Sequence, residues 1–143
     1  MILYVDTSAL VKLYVAERDS GAVRASLALA SVAATSRVAY AEARAAFARR
    51  QREGAFSRAS LRRVVADLDR DWPAYVIVEV TAALCRSAGD LAEQHALRGF
   101  DALHLASALE LGDLTGTLPA FLAHDERLSQ AATALGLTPA AAK

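Results

Sequence analysis

Four acidic side chains interrupt or directly follow the apolar segments of this chain, and they limit what it can fold into. Asp6 follows the strand-like run Ile2–Val5, and Glu42 lies inside an alanine-rich apolar run. Asp101 opens a long apolar segment, and Asp125 comes at the end of a short one. A carboxylate in or beside a protein core is costly unless its charge is compensated. Each of the four therefore needs a structural or a chemical reason.

The four acidic residues are far apart in the sequence, so only tertiary folding can gather them. Two carboxylates about 4 Å apart repel by on the order of 4 kcal/mol at an effective dielectric constant near 20. A hard divalent cation that prefers oxygen ligands, Mg²⁺ or Mn²⁺, would offset that repulsion. The pattern therefore indicates either four separate structural roles or one shared metal site.

The chain is of a size typical of one domain, and we expect residues 1–143 to form it. No apolar run is long enough to span a membrane. Asp6 and Lys12 break the first apolar stretch, and no basic region precedes it, so we expect no signal peptide. Cys85 is the single cysteine, which excludes an intrachain disulfide and favours the cytoplasm.

The formal net charge is zero, but arginines are concentrated in one part of the chain. Between positions 44 and 70 only Glu53, Asp67 and Asp69 oppose eight arginines: Arg44, Arg49, Arg50, Arg52, Arg58, Arg62, Arg63 and Arg70. Such a patch can contact phosphates. It is equally consistent with a solvated helical face, which is the usual role of a charge run.

Short apolar strands alternate with helices along the chain. Strands are predicted at Met1–Val5, Ala33–Ser36, Tyr75–Val78, Leu118–Ala123 and, briefly, after Gly136. Helices are predicted at Ser8–Val15, Ser20–Ala30, Val38–Arg52, from the cap Ser57 to about Arg70, from the cap Thr81 to about Leu97 with Gly99 as its stop, from Asp101 to near Gly112, and at Glu126–Leu135. This alternation predicts an α/β domain whose mainly parallel central sheet is flanked by helices.

Two of the acidic residues fall where parallel sheets bind ligands, just past the carboxyl end of a strand. Asp6 and Asp125 have this position, and both also suit the N-cap of the helix that follows. Asp101 can likewise cap its own helix. Glu42 is different because it lies within a helix among apolar neighbours, where a glutamate is usually paired or binds a metal ion.

Four motifs in a fixed order make the reading more specific: Tyr4-Val5-Asp6-Thr7-Ser8-Ala9-Leu10, Tyr40-Ala41-Glu42, Gly99-Phe100-Asp101-Ala102-Leu103-His104-Leu105-Ala106 and His124-Asp125-Glu126-Arg127-Leu128. Together they resemble the PIN-domain family, and within it the VapC ribonuclease toxins of bacterial toxin–antitoxin pairs. The resemblance extends over nearly the whole chain, in spacing as well as in motifs.

The resemblance implies a single PIN-like domain and an endoribonuclease that hydrolyses RNA phosphodiester bonds with Mg²⁺ or Mn²⁺. The family's acidic site then corresponds to Asp6, Glu42, Asp101 and Asp125, which would act both as metal ligands and as the catalytic set. Ser8 matches a hydroxyl position of the family. Ala123 departs from it, because many members have Thr or Ser there. The resemblance also implies a VapB-like antitoxin partner and a homodimer.

Two other functions are weighed against this one. A phosphatase or phosphotransferase with Asp6 as covalent nucleophile would need a second aspartate two residues on, where this chain has Ser8. A non-catalytic RNA- or protein-binding module is the other alternative, although all four acidic positions are intact. Arg37 and Arg44 are candidates for phosphate contacts at the rim of the site. His104 lies one turn after Asp101, where it either reaches the site or is an ordinary helical histidine.

The third and fourth long helices offer a surface for the antitoxin. They carry the apolar residues Ala45, Ala46, Phe47, Leu61, Val64, Val65 and Leu68 beside exposed arginines. An apolar groove with a basic rim suits an amphipathic helix with acidic flanks. The alternative is that these side chains pack the core of their own domain.

Overall fold

A computed structural model describes residues 1–140, and its centre is a parallel sheet of five strands. The strands are β1 (Ile2–Val5), β2 (Val32–Ser36), β3 (Val76–Val78), β4 (Ala120–Leu122) and β5 (Thr138–Pro139). Their order across the sheet is β3-β2-β1-β4-β5. All four strand pairs are parallel, so the predicted α/β class and sheet type are confirmed.

Seven α-helices within residues 1–140 connect and cover these strands. They are α1 (Thr7–Tyr14), α2 (Ser20–Leu29), α3 (Val38–Arg52), α4 (Arg58–Asp71), α5 (Ala82–His95), α6 (Gly99–Thr115) and α7 (Glu126–Ala134), and a short 3₁₀ helix (Trp72–Ala74) follows α4. None of the helices in the described part of the chain is both long and apolar enough to cross a membrane.

The sheet separates two cores because neighbouring side chains of a strand point to opposite faces. On β1, Tyr4 belongs to the core that α5, α6 and α7 cover. Leu3 and Val5 belong to the core on the other face, which α1 to α4 cover. All three side chains are fully buried. The central strand β1 is therefore covered on both faces. Asp6, the residue that follows β1, lies at the edge of this buried core.

The strand order reverses at β1, and that reversal creates a crevice. The chain builds β2 and β3 on one side of β1 and then returns to place β4 and β5 on the other. Tyr4 pairs with Ala34 of β2 and with Phe121 of β4. In open parallel sheets the crevice at such a reversal, outside the carboxyl ends of the strands, is where ligands bind.

Local capping explains most of the helix bounds. Helix α3 has the predicted bounds. Ser57 caps α4 by accepting a hydrogen bond from the Ser60 backbone N–H at 3.1 Å. Thr81 caps α5 in the same way, accepting from the Leu84 N–H at 3.1 Å. These side chains satisfy backbone donors that a helix start leaves without an intrahelical partner.

The junction between α5 and α6 differs from the prediction. Helix α5 ends at His95, and its C-cap Ala96 adopts a left-handed conformation with φ 53°. Gly99, predicted to stop α5, is instead the first residue of α6. Asp101 therefore lies inside the first turn of α6 and does not cap it. A carboxylate in this turn is favourable because it faces the positive end of the helix dipole.

Helix α6 also continues beyond the predicted end near Gly112. Gly112 remains helical and buried, and Gly116 ends the helix with φ 77°. A Cβ at position 112 would lie 2.6 Å from Leu118 Cδ2 and 3.3 Å from Leu118 Cα. Gly112 is thus a packing residue, which local sequence rules read as a helix stop.

Gly112→Ala tests this packing role. The added methyl must displace the Leu118 side chain and would lie 3.3 Å from Leu118 Cα, so we expect the roughly 0.5–1 kcal/mol that alanine gains from helix propensity to be cancelled or reversed in the free energy of unfolding. Gly89→Ala is the matched control, because its Cβ would meet nothing within 4 Å in the middle of α5. The control should gain roughly 0.5–1 kcal/mol from helix propensity. Equal urea midpoints for the two variants would contradict the packing role.

Candidate active site

All four acidic residues line one cleft of about 1200 Å³ at the carboxyl end of the sheet. Asp6 directly follows β1, and Glu42 lies in the second turn of α3. Asp101 lies in the first turn of α6, and Asp125 caps α7. Four separate elements thus bring to one cavity the residues that the sequence singled out.

Asp6 is the most deeply buried of the four, with 3% of its surface exposed. Its Oδ1 accepts hydrogen bonds from the Ala9 backbone N–H at 2.9 Å and from the Ser8 hydroxyl at 2.7 Å. Asp6 therefore is the N-cap of α1 as well as a cleft residue. Burial raises the pKa of the Asp6 carboxyl, and the electrostatic effect of His104 together with these two hydrogen bonds only partly opposes the rise. The ionised form would be stabilised by a cation in the cleft.

Glu42 has the partners that the sequence did not reveal. Its Oε1 accepts hydrogen bonds from the Thr7 hydroxyl at 2.7 Å and from His104 Nε2 at 3.0 Å. Burial acts to raise the pKa of Glu42, but these two hydrogen bonds outweigh it and hold the pKa below its ordinary value. Glu42 is thus an ionised carboxylate that accepts one hydrogen bond from α6 and one from the first residue of α1.

Asp101 and Asp125 share one arginine. Arg98 Nε lies 3.1 Å from Asp101 Oδ2, and an Arg98 terminal nitrogen lies 4.0 Å from Asp125 Oδ2. The Arg98 side chain is 82% exposed, so these ion pairs contribute little to stability. Asp125 Oδ1 also accepts from the Leu128 backbone N–H at 2.9 Å, which confirms its capping role. The exposed Arg98 is therefore the partner that a metal ion would have to replace.

Ser8 joins the ends of the two central strands. Its hydroxyl donates to Asp6 and accepts from the His124 backbone N–H at 3.3 Å. Ala123, where the family commonly has a hydroxyl, contributes only its carbonyl, which accepts from Ser129 Oγ at 3.3 Å. The His124 Nε2 atom is buried and has no hydrogen-bond partner in residues 1–140.

The basic side chains of the cleft differ from those proposed for its rim. Arg37 forms an ion pair with Glu79, and Arg44 lies over the Tyr40 ring, 5.7 Å from its centroid. The basic residues that line the cleft are Lys12, Arg49, Arg50 and Arg98. Lys12 and Arg50 both pair with Glu17, whereas Arg49 is largely exposed and approaches only Glu53, at 3.9 Å.

The donor set fits a hard divalent cation. It consists of carboxylate oxygens, the ligands that Mg²⁺ and Mn²⁺ prefer, and its most buried member has only neutral hydrogen-bond donors. Within residues 1–140, no group of three His, Cys, Asp or Glu side chains is already arranged to hold a metal ion. Glu42 and Asp101 face internal partners instead. These residues fit a divalent cation, and binding of the ion would require the ion pair between Asp101 and Arg98 to break.

Comparison with known proteins identifies the class of this fold. Residues 3–134 match the sequence profile of the family described as PIN domain. The match covers most of the chain and includes all four acidic positions. The chain therefore belongs to the PIN-domain family, as its motifs predicted.

The relatives are VapC proteins. Ribonuclease VapC45 of Mycobacterium tuberculosis (strain CDC 1551 / Oshkosh) is 43% identical over 116 residues, which cover 78% of each chain. Among solved structures, the M. tuberculosis VapC20 toxin, described as cleaving the sarcin–ricin loop, has a TM-score of 0.66 at 21% identity and covers 95% of this chain and 96% of that one. VapBC2 from Rickettsia felis, solved bound to a fragment of its promoter DNA, has a TM-score of 0.62 at 16% identity and covers 91% and 92%.

Asp6→Asn should stabilise the metal-free protein. The folded-state pKa of Asp6 is raised above 3.8, so its ionised form costs stability at every pH above that value. Asparagine removes the charge and keeps the oxygen that caps α1. We expect a higher melting temperature in chelator near neutral pH, and no gain as the pH falls toward about 4.

The matched control is Asp90→Asn, an exposed carboxylate on α5, which should leave the melting temperature unchanged. If Asp6→Asn melted below the wild type in chelator near neutral pH, the buried carboxylate would not be a source of strain in the metal-free fold.

Proposed function

We propose that this chain is the ribonuclease toxin of a type II toxin–antitoxin pair and hydrolyses RNA phosphodiester bonds in the cleft. One observation carries the proposal: four carboxylates from four separate elements line a single cavity at the reversal of the strand order. Membership of the PIN-domain family and 43% sequence identity to Ribonuclease VapC45 support the proposal.

The cofactor we propose is Mg²⁺, with Mn²⁺ able to replace it. Asp6 and Asp101 would be its principal ligands, and Glu42 and Asp125 would complete the set directly or through water. When bound, such an ion lowers the pKa of a water molecule and stabilises the negative charge of the leaving oxygen. The side chains themselves bind and orient, and none has to act as a nucleophile.

Other residues of the cleft handle the substrate's charge. Arg49 and Arg98 are largely exposed and line the cleft, so they can contact the phosphates that flank the scissile bond. Arg98 would have two roles, since it neutralises Asp101 in the metal-free protein and is released when the site is filled. Phosphate contacts of this kind fix register without reading sequence.

The cleavage assay tests the catalytic assignment. Asp6→Asn and Asp101→Asn each remove a ligand charge and keep the side chain's shape, so we expect RNA cleavage with Mg²⁺ or Mn²⁺ to fall by at least about 100-fold. Asp90→Asn should cleave at the wild-type rate. A chelator should abolish the wild-type activity.

Two results would contradict this function. Wild-type cleavage by Asp6→Asn or Asp101→Asn would remove that residue from the active set. A wild type that binds RNA but cleaves none with either metal would favour the alternative, a non-catalytic RNA- or protein-binding module.

The proposed partners are a VapB-like antitoxin and a second copy of the chain. The surface foreseen on α3 and α4 is smaller than the sequence suggested, because Phe47 and Leu68 are fully buried in the domain's own core. Leu61, Val64 and Val65 are only partly buried and can still contribute apolar surface. Arg62 and Arg63 are exposed on the same helix and form the basic rim.

A charge reversal tests the antitoxin surface. Arg62→Glu with Arg63→Glu should weaken binding of the protein encoded directly upstream by at least about tenfold, since like charges oppose acidic flanks. RNA cleavage should not change. Arg24→Glu, an exposed reversal on α2, is the control. Unchanged affinity in the double variant, measured by calorimetry, would mean that the antitoxin binds elsewhere. The homodimer has a separate test, which is light scattering of the free chain.

A further inference from the structure

A chain of hydrogen bonds runs beneath the cleft from the central strand to Glu42. The Tyr4 hydroxyl lies 2.8 Å from His104 Nδ1. On the other side of the ring, Nε2 lies 3.0 Å from Glu42 Oε1 and 3.0 Å from the Thr7 hydroxyl. Tyr4 is fully buried and His104 is 2% exposed, so the contacts are shielded from water up to the carboxylate.

The donors and acceptors fix where the protons lie. The ionised carboxylate of Glu42 only accepts, so the single hydroxyl proton of Thr7 points to Glu42 Oε1, at 2.7 Å. The Thr7 oxygen can then only accept from His104 Nε2. That nitrogen therefore carries a hydrogen, which is shared between Thr7 and Glu42.

The opposite nitrogen of the ring is anchored to the central strand. The Tyr4 hydroxyl is the partner of His104 Nδ1. The two other hydroxyls near Tyr4 donate elsewhere, Thr35 to the Val5 carbonyl and Ser107 to the Leu103 carbonyl, each at 2.7 Å. The contact between Tyr4 and His104 holds the ring in place whichever of the two atoms donates.

We propose that Tyr4 and His104 are positioning residues that hold Glu42 in the orientation the active site needs. Tyr4 anchors the His104 ring at Nδ1, and His104 with Thr7 holds Oε1 of the carboxylate. Glu42 Oε2 accepts no hydrogen bond from residues 1–140 and is left for the contents of the cleft. This role rests on the proposed function, because it assigns Glu42 to the metal-binding set.

The packing of the two rings supports a positioning role. Tyr4 stacks on Phe121 with ring centroids 5.5 Å apart and planes 5° apart, so its ring position does not depend on its hydroxyl. His104 meets Tyr4 edge-on at 5.9 Å. Two buried polar groups in an apolar core are costly unless fully bonded. Here the hydrogen bonds begin at Tyr4 on the central strand and end at Glu42, a residue of the cleft.

Two substitutions at His104 separate positioning from packing. His104→Gln keeps an N–H donor near the place of Nε2, whereas the shorter His104→Asn keeps only a group near Nδ1. We expect His104→Asn to weaken the binding of Mn²⁺ alone by roughly 10–100-fold, the usual effect of losing a group that orients a metal ligand. His104→Gln should recover most of that loss, and Tyr4→Phe should fall between the two.

Kinetics and a stability-matched control complete the comparison. The same substitutions should lower kcat for RNA cleavage and leave KM nearly unchanged, because Glu42 holds no flanking phosphate. Val23→Ala removes buried volume from the core on the other face of the sheet from Tyr4. It should lower the melting temperature and leave the Mn²⁺ affinity as in the wild type. Equal Mn²⁺ affinities for all of these variants would overturn the positioning role.

Nitrogen NMR of the His104 ring gives a readout independent of metal and RNA. The wild type should carry a hydrogen on Nε2, and Tyr4→Phe should shift the Nδ1 resonance, because that nitrogen loses its partner. A wild type without a hydrogen on Nε2, or a spectrum that Tyr4→Phe leaves unchanged, would overturn the proposal. If the wild type bound no Mn²⁺ and cleaved no RNA, the proposed function would fail, and the spectrum alone would decide whether Tyr4 and His104 set the geometry of Glu42.

Discussion

The burial of one carboxylate, that of Asp6, is the constraint on which the rest of this structure depends. Asp6 follows the central strand β1, which is covered on both faces and paired on both edges. The Asp6 side chain must therefore cap helix α1 and also tolerate burial away from water. The capping bonds from Ala9 and Ser8 position the carboxylate, yet they do not remove the cost of its charge. That uncompensated charge is the reason for which we propose a cation in the cleft.

The other three carboxylates are compensated in ways that differ in strength. Glu42 is held by partly buried hydrogen bonds from Thr7 and His104. Asp101 and Asp125 face the exposed Arg98, whose contacts are weak and easily exchanged. Glu42 is thus already positioned by its hydrogen bonds, whereas the charges of Asp101 and Asp125 are compensated by an exposed arginine whose contacts can be exchanged. This division explains how four acidic residues are tolerated in one cleft.

The sequence predicted the parts of the fold that depend on local rules. Helix α3 and the caps Ser57 and Thr81 follow from residue types that satisfy nearby backbone groups, and the strands follow from short apolar runs. The acidic positions stood out because charge is rare in such runs. The end of α5 was missed because Ala96, which lacks the usual preference for a left-handed conformation, takes the place expected of a glycine. Gly112 was misread because its contact with Leu118 is a matter of packing.

The network behind Glu42 was beyond local rules for a different reason. Tyr4 and His104 are 100 positions apart, and Thr7 and Glu42 are 35 apart. Nothing in the spacing of any single helix joins them. The one available signal was that Glu42 needed a partner and that His104 lay one turn from Asp101.

Diffraction from crystals soaked in Mn²⁺, recorded where manganese scatters anomalously, tests the central claim most directly. The account predicts an anomalous peak in the cleft, in contact with the carboxylates of Asp6 and Asp101, with Arg98 displaced from Asp101. A cleft that stays open to solvent at saturating Mn²⁺ and holds no peak, or a peak only at surface carboxylates, would contradict it.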